Sequence, residues 1–244
     1  HAKLDESNIP KDRIGVLLAC GMGGLPFIEV QHRIALERPD RVSPFFIPSV
    51  ISNLSPGQIS MSIGARGPSF TVTSACASGA HAIGEAAHYI KNGVCDIMIA
   101  GGSESVVCPL AVGGFAAMKA LSTRNNQPTM ASRPFDRDRD GFVLAEGAAV
   151  LILEDFERAR ARGARIYGEV AGYGITSDAY HMTNPSPGGD GAGRAMKMAL
   201  KSAQINPDEV QYINAHGTST PVGDEIENQA VRRIFGSAAD KLWV

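Results

Sequence analysis

The chain has 244 residues, 44% hydrophobic and 20% charged, enough for a large domain or two small ones with a real core. A net charge of −2 supplies no global basic field for nucleic acid or a membrane surface, so an acidic partner must dock on a local patch. The four cysteines (Cys20, Cys76, Cys95, Cys108) form no C-x-x-C pair and no zinc spacing, which reads as reduced thiols in a cytosol-like compartment with no metal site. No apolar run reaches membrane-span length and no signal peptide is visible; the chain opens with His1 rather than Met.

In chain order, RIGVLLAC (13–20) reads as a buried strand running into the turn GMGG, and FIEVQHRIALE (27–37) as a helix. SVISNLSPGQISMSIGA (49–65) reads as helical with a kink at Pro56. A strand at 69–75, a helix at 78–91 and a strand at 94–100 follow, within the span of one βαβ crossover. The helix should turn Ala80, Ile83, Ala87 and Ile90 to the core. FVLAEGAAVLILE (142–154) reads as strand, turn, strand, and DFERARARGA as a short exposed helix stopping at Gly163. RIYGEVAGYGITS (165–177) begins a long strand, AGRAMKMALKSA (192–203) is helical, and VQYINAHG (210–217) is a strand ending in a loop. VGDEIENQAVRRIF (222–235) is a helix with Pro221 in its first turn. Alternating strands and helices predict an α/β fold with a largely parallel sheet, with a boundary between two weakly similar halves at Gly163–Arg165.

Two stretches imitate known sites. DRDRDGFVLAE (136–146) has the acids of a calcium loop, but with Asp136 as first ligand the bidentate Glu should stand at position 147, which is Gly147; a charged turn with internal Arg–Asp pairs is the better reading. GMGGLP follows a strand, as a dinucleotide loop does, but Pro26 occupies the third glycine position and no N-terminal βαβ surrounds it.

TVTSACASGAH (71–81) carries the chemistry. Cys76 falls between the end of a central strand and the start of a helix, where amide N–H groups and the helix dipole favour a thiolate and can stabilise an oxyanion. Small neighbours (Ser74, Ala75, Ala77, Ser78, Gly79) leave room for an acyl group. A buried filler cysteine is the competing reading. The flanks, Ser74 and Ser78, are not those of a hydrolase elbow, and the papain surround is absent. His81 lies about 140° around the helix from Cys76 and should point elsewhere. His88 shares its face but lacks a third metal ligand. The partner must come from afar. NAHGTSTPVGDEIE (214–227) offers His216, Gly217 for close backbone approach, and the hydroxyls of Thr218, Ser219 and Thr220.

These segments, together with DIMIAGGSE, GGFAAMKALSTRN, RPFDRDRDGFVLAEGAAVLILE and TSDAYHMTNPSP, resemble the β-ketoacyl-[acyl-carrier-protein] synthases, and most closely the elongating condensing enzymes of the type II system, in order along essentially the whole chain. The resemblance implies a thiolase-like fold of two pseudo-symmetric halves, here 1–164 and 165–244. It implies acyl transfer from acyl carrier protein to Cys76, then decarboxylative Claisen condensation with malonyl carrier protein, with no cofactor. His216 matches the histidine that donates a hydrogen bond to the malonyl thioester carbonyl, as neutral imidazole. Thr218 and Thr220 match contacts to the pantetheine arm. Phe115 matches a residue near the substrate entrance, with ordinary core packing as the equal alternative. Met22 matches the acyl-pocket wall, and Asp178, His181 and Thr183 match a loop near the arm. Arg38, Arg41, Lys119 and Arg124 are candidates for a carrier-protein patch or for plain solvated surface.

The resemblance further implies a cytoplasmic or organelle-stroma homodimer in which the strand before the cysteine meets its counterpart. The family continues with a lysine and a second histidine in a K-x-x-x-G-H segment, then a glycine-rich loop, and it begins with a strand and helix ahead of His1. On that reading the chain is an internal fragment, impaired as a condensing enzyme alone, with open sheet edges and exposed apolar surface. A polyketide ketosynthase, or a non-catalytic carrier-binding module, is the alternative.

Overall fold

The computed structural model describes residues 2–4 and 8–244. The chain separates into two compact units, 1–112 with 145–170, and 113–144 with 171–244.

The first unit is built on a four-stranded sheet of order β2-β1-β3-β4, with β1 (Ile14–Ala19), β2 (Ser69–Val72), β3 (Ile97–Glu104) and β4 (Gly147–Glu154). β1 pairs in parallel with β2 and β3, and β4 runs antiparallel to β3, so the sheet is largely parallel as expected. β1 is buried along its whole length, which a strand covered on both faces requires. Its side chains alternate between two cores. Leu17 and Ala19, with Met98 and Ala100 of β3, pack against Ala82 and Ala86 of helix α4 (Ser78–Lys91). Val16, Leu18 and Ile99 face the other way, toward Ile59 and Ile63 of α3 (Leu54–Ile63). Gly15 has no room for a side chain, since a Cβ there would stand 2.4 Å from Met98 Sδ.

Several elements differ from expectation. The stretch at 49–65 is two helices, α2 (Phe46–Val50) and α3, and the break falls at Ile51–Asn53, ahead of Pro56. Pro56 sits buried in the first turn of α3, where its missing N–H has no intrahelical partner to lose. α4 spans the expected residues, but its core face is turned. Ala82 and Ala86 are fully buried and Ile83 and Ile90 pack beside them, while Ala80 is exposed. Small side chains let the helix approach the sheet more closely than its isoleucines would. β2 ends at Val72 and is an edge strand of the sheet, not a central one. Of the two strands read in 142–154, only β4 forms; Phe142 makes an isolated bridge to Leu121. α1 (Leu25–Glu37) and α6 (Phe156–Ala161) match expectation, and α6 is capped by Asp155, which accepts the Arg158 N–H at 3.0 Å.

Asp96, just ahead of β3, receives Arg13 at 2.7 Å and Arg158 at 3.3 Å, and the hydrogen bond from Arg13 foremost lowers its pKa. A carboxylate whose folded pKa is lowered stabilises fully above its unfolded pKa and loses that contribution as pH falls through the folded value. Asp96→Asn is therefore expected to cost about 1 kcal/mol at neutral pH, with the difference closing in acid below about pH 4. Urea denaturation of both proteins at neutral and acid pH measures this; a difference independent of pH would contradict it.

In the second unit, helices α7 (Asp190–Ala203) and α8 (Pro221–Phe235) pack together. The Gly188–Gly189 turn touches α8: a Cβ on Gly189 would stand 2.7 Å from Ala230 Cβ, and Arg233 donates to the Gly189 carbonyl at 3.0 Å. The expected strands at 165–177 and 210–217 do not form. A strand is defined by its ladder, and no described segment pairs with the first; Gly172 and Gly174 lie instead against the backbone of α7. Of the second, only Tyr212 bridges, to Trp243. Helix α5 is Pro109–Ala117.

Candidate functional site

Cys76 is exposed at the turn between β2 and α4, whereas Cys20, Cys95 and Cys108 are buried. The turn is built from its neighbours. Ala75 takes a positive φ of 51°, an uncommon conformation for a residue with a Cβ, and this reverses the chain just ahead of the cysteine. Ser78, buried in the first turn of α4, holds that reversal: its Oγ accepts the Ser74 N–H at 2.7 Å and donates to the Ala75 carbonyl at 2.6 Å. His81 meets the residue two before the cysteine, with Nδ1 2.6 Å from Ser74 Oγ. Ser78→Ala would strand the Ser74 N–H in a half-buried turn. It is expected to lower stability by about 1–3 kcal/mol, read as a shift in the urea midpoint at unchanged m-value.

The chain after β1 lies beside this elbow. Thr73 Oγ1 donates to the Cys20 carbonyl at 2.9 Å, and a Cβ on Gly21 would stand 3.9 Å from the Ala75 carbonyl oxygen. Met22 sits on this turn, exposed. Burial, and after it the charge of Glu104, raise the Cys20 pKa, so Cys20 stays a protonated thiol.

In the second unit, His216 is exposed on the loop leading to α8. The backbone around it is set by acids at the start of that helix. Glu227 accepts the His216 N–H at 2.7 Å and the Gly217 N–H at 2.9 Å. Asp224, 1% exposed, accepts the N–H groups of Ser219 and Phe135. Thr218 and Thr220 share a hydroxyl–hydroxyl hydrogen bond of 2.8 Å, and Gly223 leaves Thr220 the space it needs. Phe115 packs edge-on against Phe142 at 5.2 Å.

Asp178 accepts the Ser186 N–H at 2.8 Å, and a Cβ on Gly191 would collide with it. His181 Nδ1 accepts the N–H groups of Thr183 and Asn184, both at 3.1 Å. Of the basic residues, Arg38 and Arg41 both pair with Asp40, which offsets part of their charge. Lys119 is exposed, and Arg124 donates to the Asp138 carbonyl. The acidic turn at 136–140 is occupied by its own bonds: Arg133 and Arg137 pair with Asp136 and Asp138, and Asp140 accepts from Ser122 and Thr123. Among the described residues no group of three His, Cys, Asp or Glu is placed to hold a metal ion, and no helix is long and apolar enough to cross a membrane.

The sequence shows Ser78 only as a small neighbour of Cys76 and does not single out Glu104, Asp224 or Glu227. For the last two a signal existed: acids three residues apart at a helix start share one face and aim at the N–H groups ahead of it.

An exposed thiol at a strained strand-to-helix turn on a largely parallel sheet defines an α/β protein with a cysteine presented at a turn. The chain belongs to the β-ketoacyl synthase family: residues 1–159 match the beta-ketoacyl synthase N-terminal domain and residues 167–244 its C-terminal domain. It is 50% identical over 230 residues to 3-oxoacyl-[acyl-carrier-protein] synthase 2 of Vibrio cholerae, which covers 94% of this chain and 56% of that protein. It is also 50% identical to the protein of the same name from Synechocystis, over 100% of this chain and 59% of the relative. The chain thus spans under two thirds of the curated relatives it matches.

Among solved structures, a chain of the AntDE:AntF complex, described as a type II PKS acyl-carrier protein with its ketosynthase bound to the hexaketide, matches with TM-score 0.91 at 38% identity, covering 99% of this chain and 61% of that one. A beta-ketoacyl synthase from Burkholderia phymatum matches with TM-score 0.86 at 39% identity, covering 94% and 56%. The fold is the thiolase-like α/β fold of these ketosynthases.

Proposed function

We propose that this chain carries the acyl-accepting part of a condensing enzyme of fatty-acid biosynthesis, a 3-oxoacyl-[acyl-carrier-protein] synthase of the second type. The observation that carries the reading is the elbow: Cys76 is the exposed cysteine among buried ones and stands at a turn held by Ser78. Its thiolate attacks the thioester carbonyl of an acyl carrier protein; a C–S bond forms to Cys76 and the carrier's thiol leaves with the proton. His216 then donates a hydrogen bond to the carbonyl oxygen of a malonyl thioester as loss of carbon dioxide turns it into an enolate. The enolate carbon attacks the carbonyl of the Cys76 thioester; a C–C bond forms, the C–S bond breaks and frees Cys76 as its thiolate, and the β-ketoacyl product leaves on the carrier.

Glu227 supports this role by fixing the backbone on which His216 stands. Thr218 and Thr220 bind the pantetheine arm, Met22 lines the acyl pocket, and Phe115 stands near the entrance. Asp178, His181 and Thr183 shape the loop beside the arm, and Arg38, Arg41, Lys119 and Arg124 meet the acidic carrier. The halves of the protein are 1–164 and 165–244. The enzyme works as a cytoplasmic homodimer, for which β2, an edge strand carrying the elbow, supplies the pairing surface.

A polyketide ketosynthase is the second reading, favoured by the structural match to the ketosynthase–carrier complex; the 50% identity to fatty-acid synthase 2 proteins favours the first. Intact mass after incubation with saturated acyl-carrier-protein thioesters and with polyketide-type poly-β-keto thioesters tests both. Gain of one saturated acyl group supports the fatty-acid reading. Preference for the poly-β-keto donor supports the alternative, and no gain from either donor sinks the acyl-transfer reading for this chain.

A further inference from the structure

The turn after β1 is closed around a carboxylate. Glu104, at the end of β3, accepts the backbone N–H groups of Gly21 at 2.7 Å and Met22 at 2.8 Å through Oε2, and that of Gly23 at 3.1 Å through Oε1. The Cys20 thiol lies 3.5 Å from the same Oε1. Consecutive N–H groups converging on one point form a nest for an anion, the device by which glycine-rich loops hold phosphates. Here the chain's own side chain fills it, so GMGG, which imitates a dinucleotide loop in sequence, is an internally satisfied turn.

The fit is close on every side. A Cβ on Gly21 would stand 2.7 Å from Glu104 Oε2; one on Gly24 would stand 2.5 Å from the Ser49 carbonyl oxygen; and Gly23 holds a φ of +76°. Parallel pairing of Ala19 with Gly102 brings the end of β1 level with the end of β3, where Glu104 reaches across. The same turn touches the elbow through Thr73 and the Ala75 carbonyl.

We infer that Glu104 is a positioning residue: by gathering the N–H groups of Gly21, Met22 and Gly23 onto its carboxylate, it sets where Met22 stands on the turn that meets the Cys76 elbow, and thereby the length of acyl chain the cysteine accepts. This rests on the reading of Cys76 as the acyl acceptor. Glu104 has no bond to make or break in the reaction; it fixes a wall. Its replacement by glutamine keeps the size but turns an –NH2 donor toward N–H groups that need an acceptor. The turn then opens and Met22 is released.

The test uses the 244-residue chain and N-alkylmaleimides from methyl to octyl, which report chain-length fit without needing catalysis. The Cys76 sulfur adds to the maleimide double bond and the thiol proton passes to the neighbouring carbon. In Glu104→Gln the ratio of octyl to methyl rates at Cys76 is expected to change by about tenfold, the equivalent of roughly two methylenes of pocket contact. The methyl rate should stay within about twofold, as expected for a thiol whose own turn is untouched. Gly21→Ala, which keeps the carboxylate but drives a Cβ into it, should change the ratio in the same direction.

An unchanged ratio in both variants overturns the inference, as does an equal fall at every chain length, the mark of a merely structural role. Transfer from acyl-carrier-protein thioesters is scored separately. Its failure alongside a changed maleimide ratio sinks the proposed function and leaves Glu104 as the residue that sets the wall.

Discussion

Cys76→Ala gains no mass from an acyl-carrier-protein thioester, while the parent chain gains one acyl group. The loss is expected to be complete at the sensitivity of the measurement, because no other cysteine takes over. Cys20, Cys95 and Cys108 are buried, and burial raises the pKa of Cys20 and Cys95, which keeps them as unreactive thiols. The variant should remain folded. Cys76 is exposed and contributes little to the core, and Ser78 bonds the turn ahead of it. Far-UV circular dichroism and the urea midpoint are therefore expected to match the parent within about 0.5 kcal/mol. Acylation persisting in the variant would place the acceptor elsewhere and remove the main support for the functional reading.

The second large effect is structural. Asp224→Ala is expected to destabilise the protein by about 3–5 kcal/mol, a large share of an ordinary domain's stability. The Asp224 carboxylate is almost wholly buried and accepts two backbone N–H groups, Ser219 at 3.1 Å and Phe135 at 2.8 Å. It also lies 3.5 Å from the Arg139 guanidinium, whose side chain is only 15% exposed. Alanine leaves both N–H groups without their acceptor and takes from Arg139 the counter-charge of Asp224. The effect reaches function as well, because Arg139 donates to the carbonyls of Thr220 and Pro221, and Ser219 and Thr220 belong to the hydroxyl loop after His216. Asp224→Asn keeps the volume and one acceptor and should fall between parent and alanine. Chemical denaturation of the three proteins gives the order; an alanine variant as stable as the parent would show that the hub carries no load.

Much of this molecule is legible in its residues. The helix at 78–91 is found at the expected positions because a small-residue turn precedes it and Gly93, with a φ of +70°, follows it. The strand at the start of the chain is found because an unbroken apolar run of that length suits a strand buried on both faces. The place of Cys76 follows from the same two facts: a β-rich segment before it and a helix after it. His216 and the hydroxyls that follow it are legible as a polar loop ahead of a proline-started helix.

Other features depend on partners distant in sequence. The segments at 165–177 and 210–217 have strand composition but no ladder, since β-structure exists only where a neighbouring backbone supplies hydrogen bonds. The rotated core face of α4 depends on the closeness of β1 and β3, which favours Ala82 and Ala86 over the larger side chains. The edge position of β2 is a matter of sheet order, which local pattern does not encode. Glu104 reaches the turn at Gly21–Gly23 only because parallel strands β1 and β3 end side by side.

By itself, then, the order of residues determined the α/β class, the candidate nucleophile and its turn, the candidate histidine and the family. Each of these is written in local periodicity and motif. Only the tertiary structure decided which side chains hold those motifs in place: Ser78 at the elbow, Glu104 under the Met22 turn, and Asp224 and Glu227 beneath the His216 loop. The reason is physical: a buried donor must find an acceptor, and which acceptor lies within reach is set by how the chain folds back on itself.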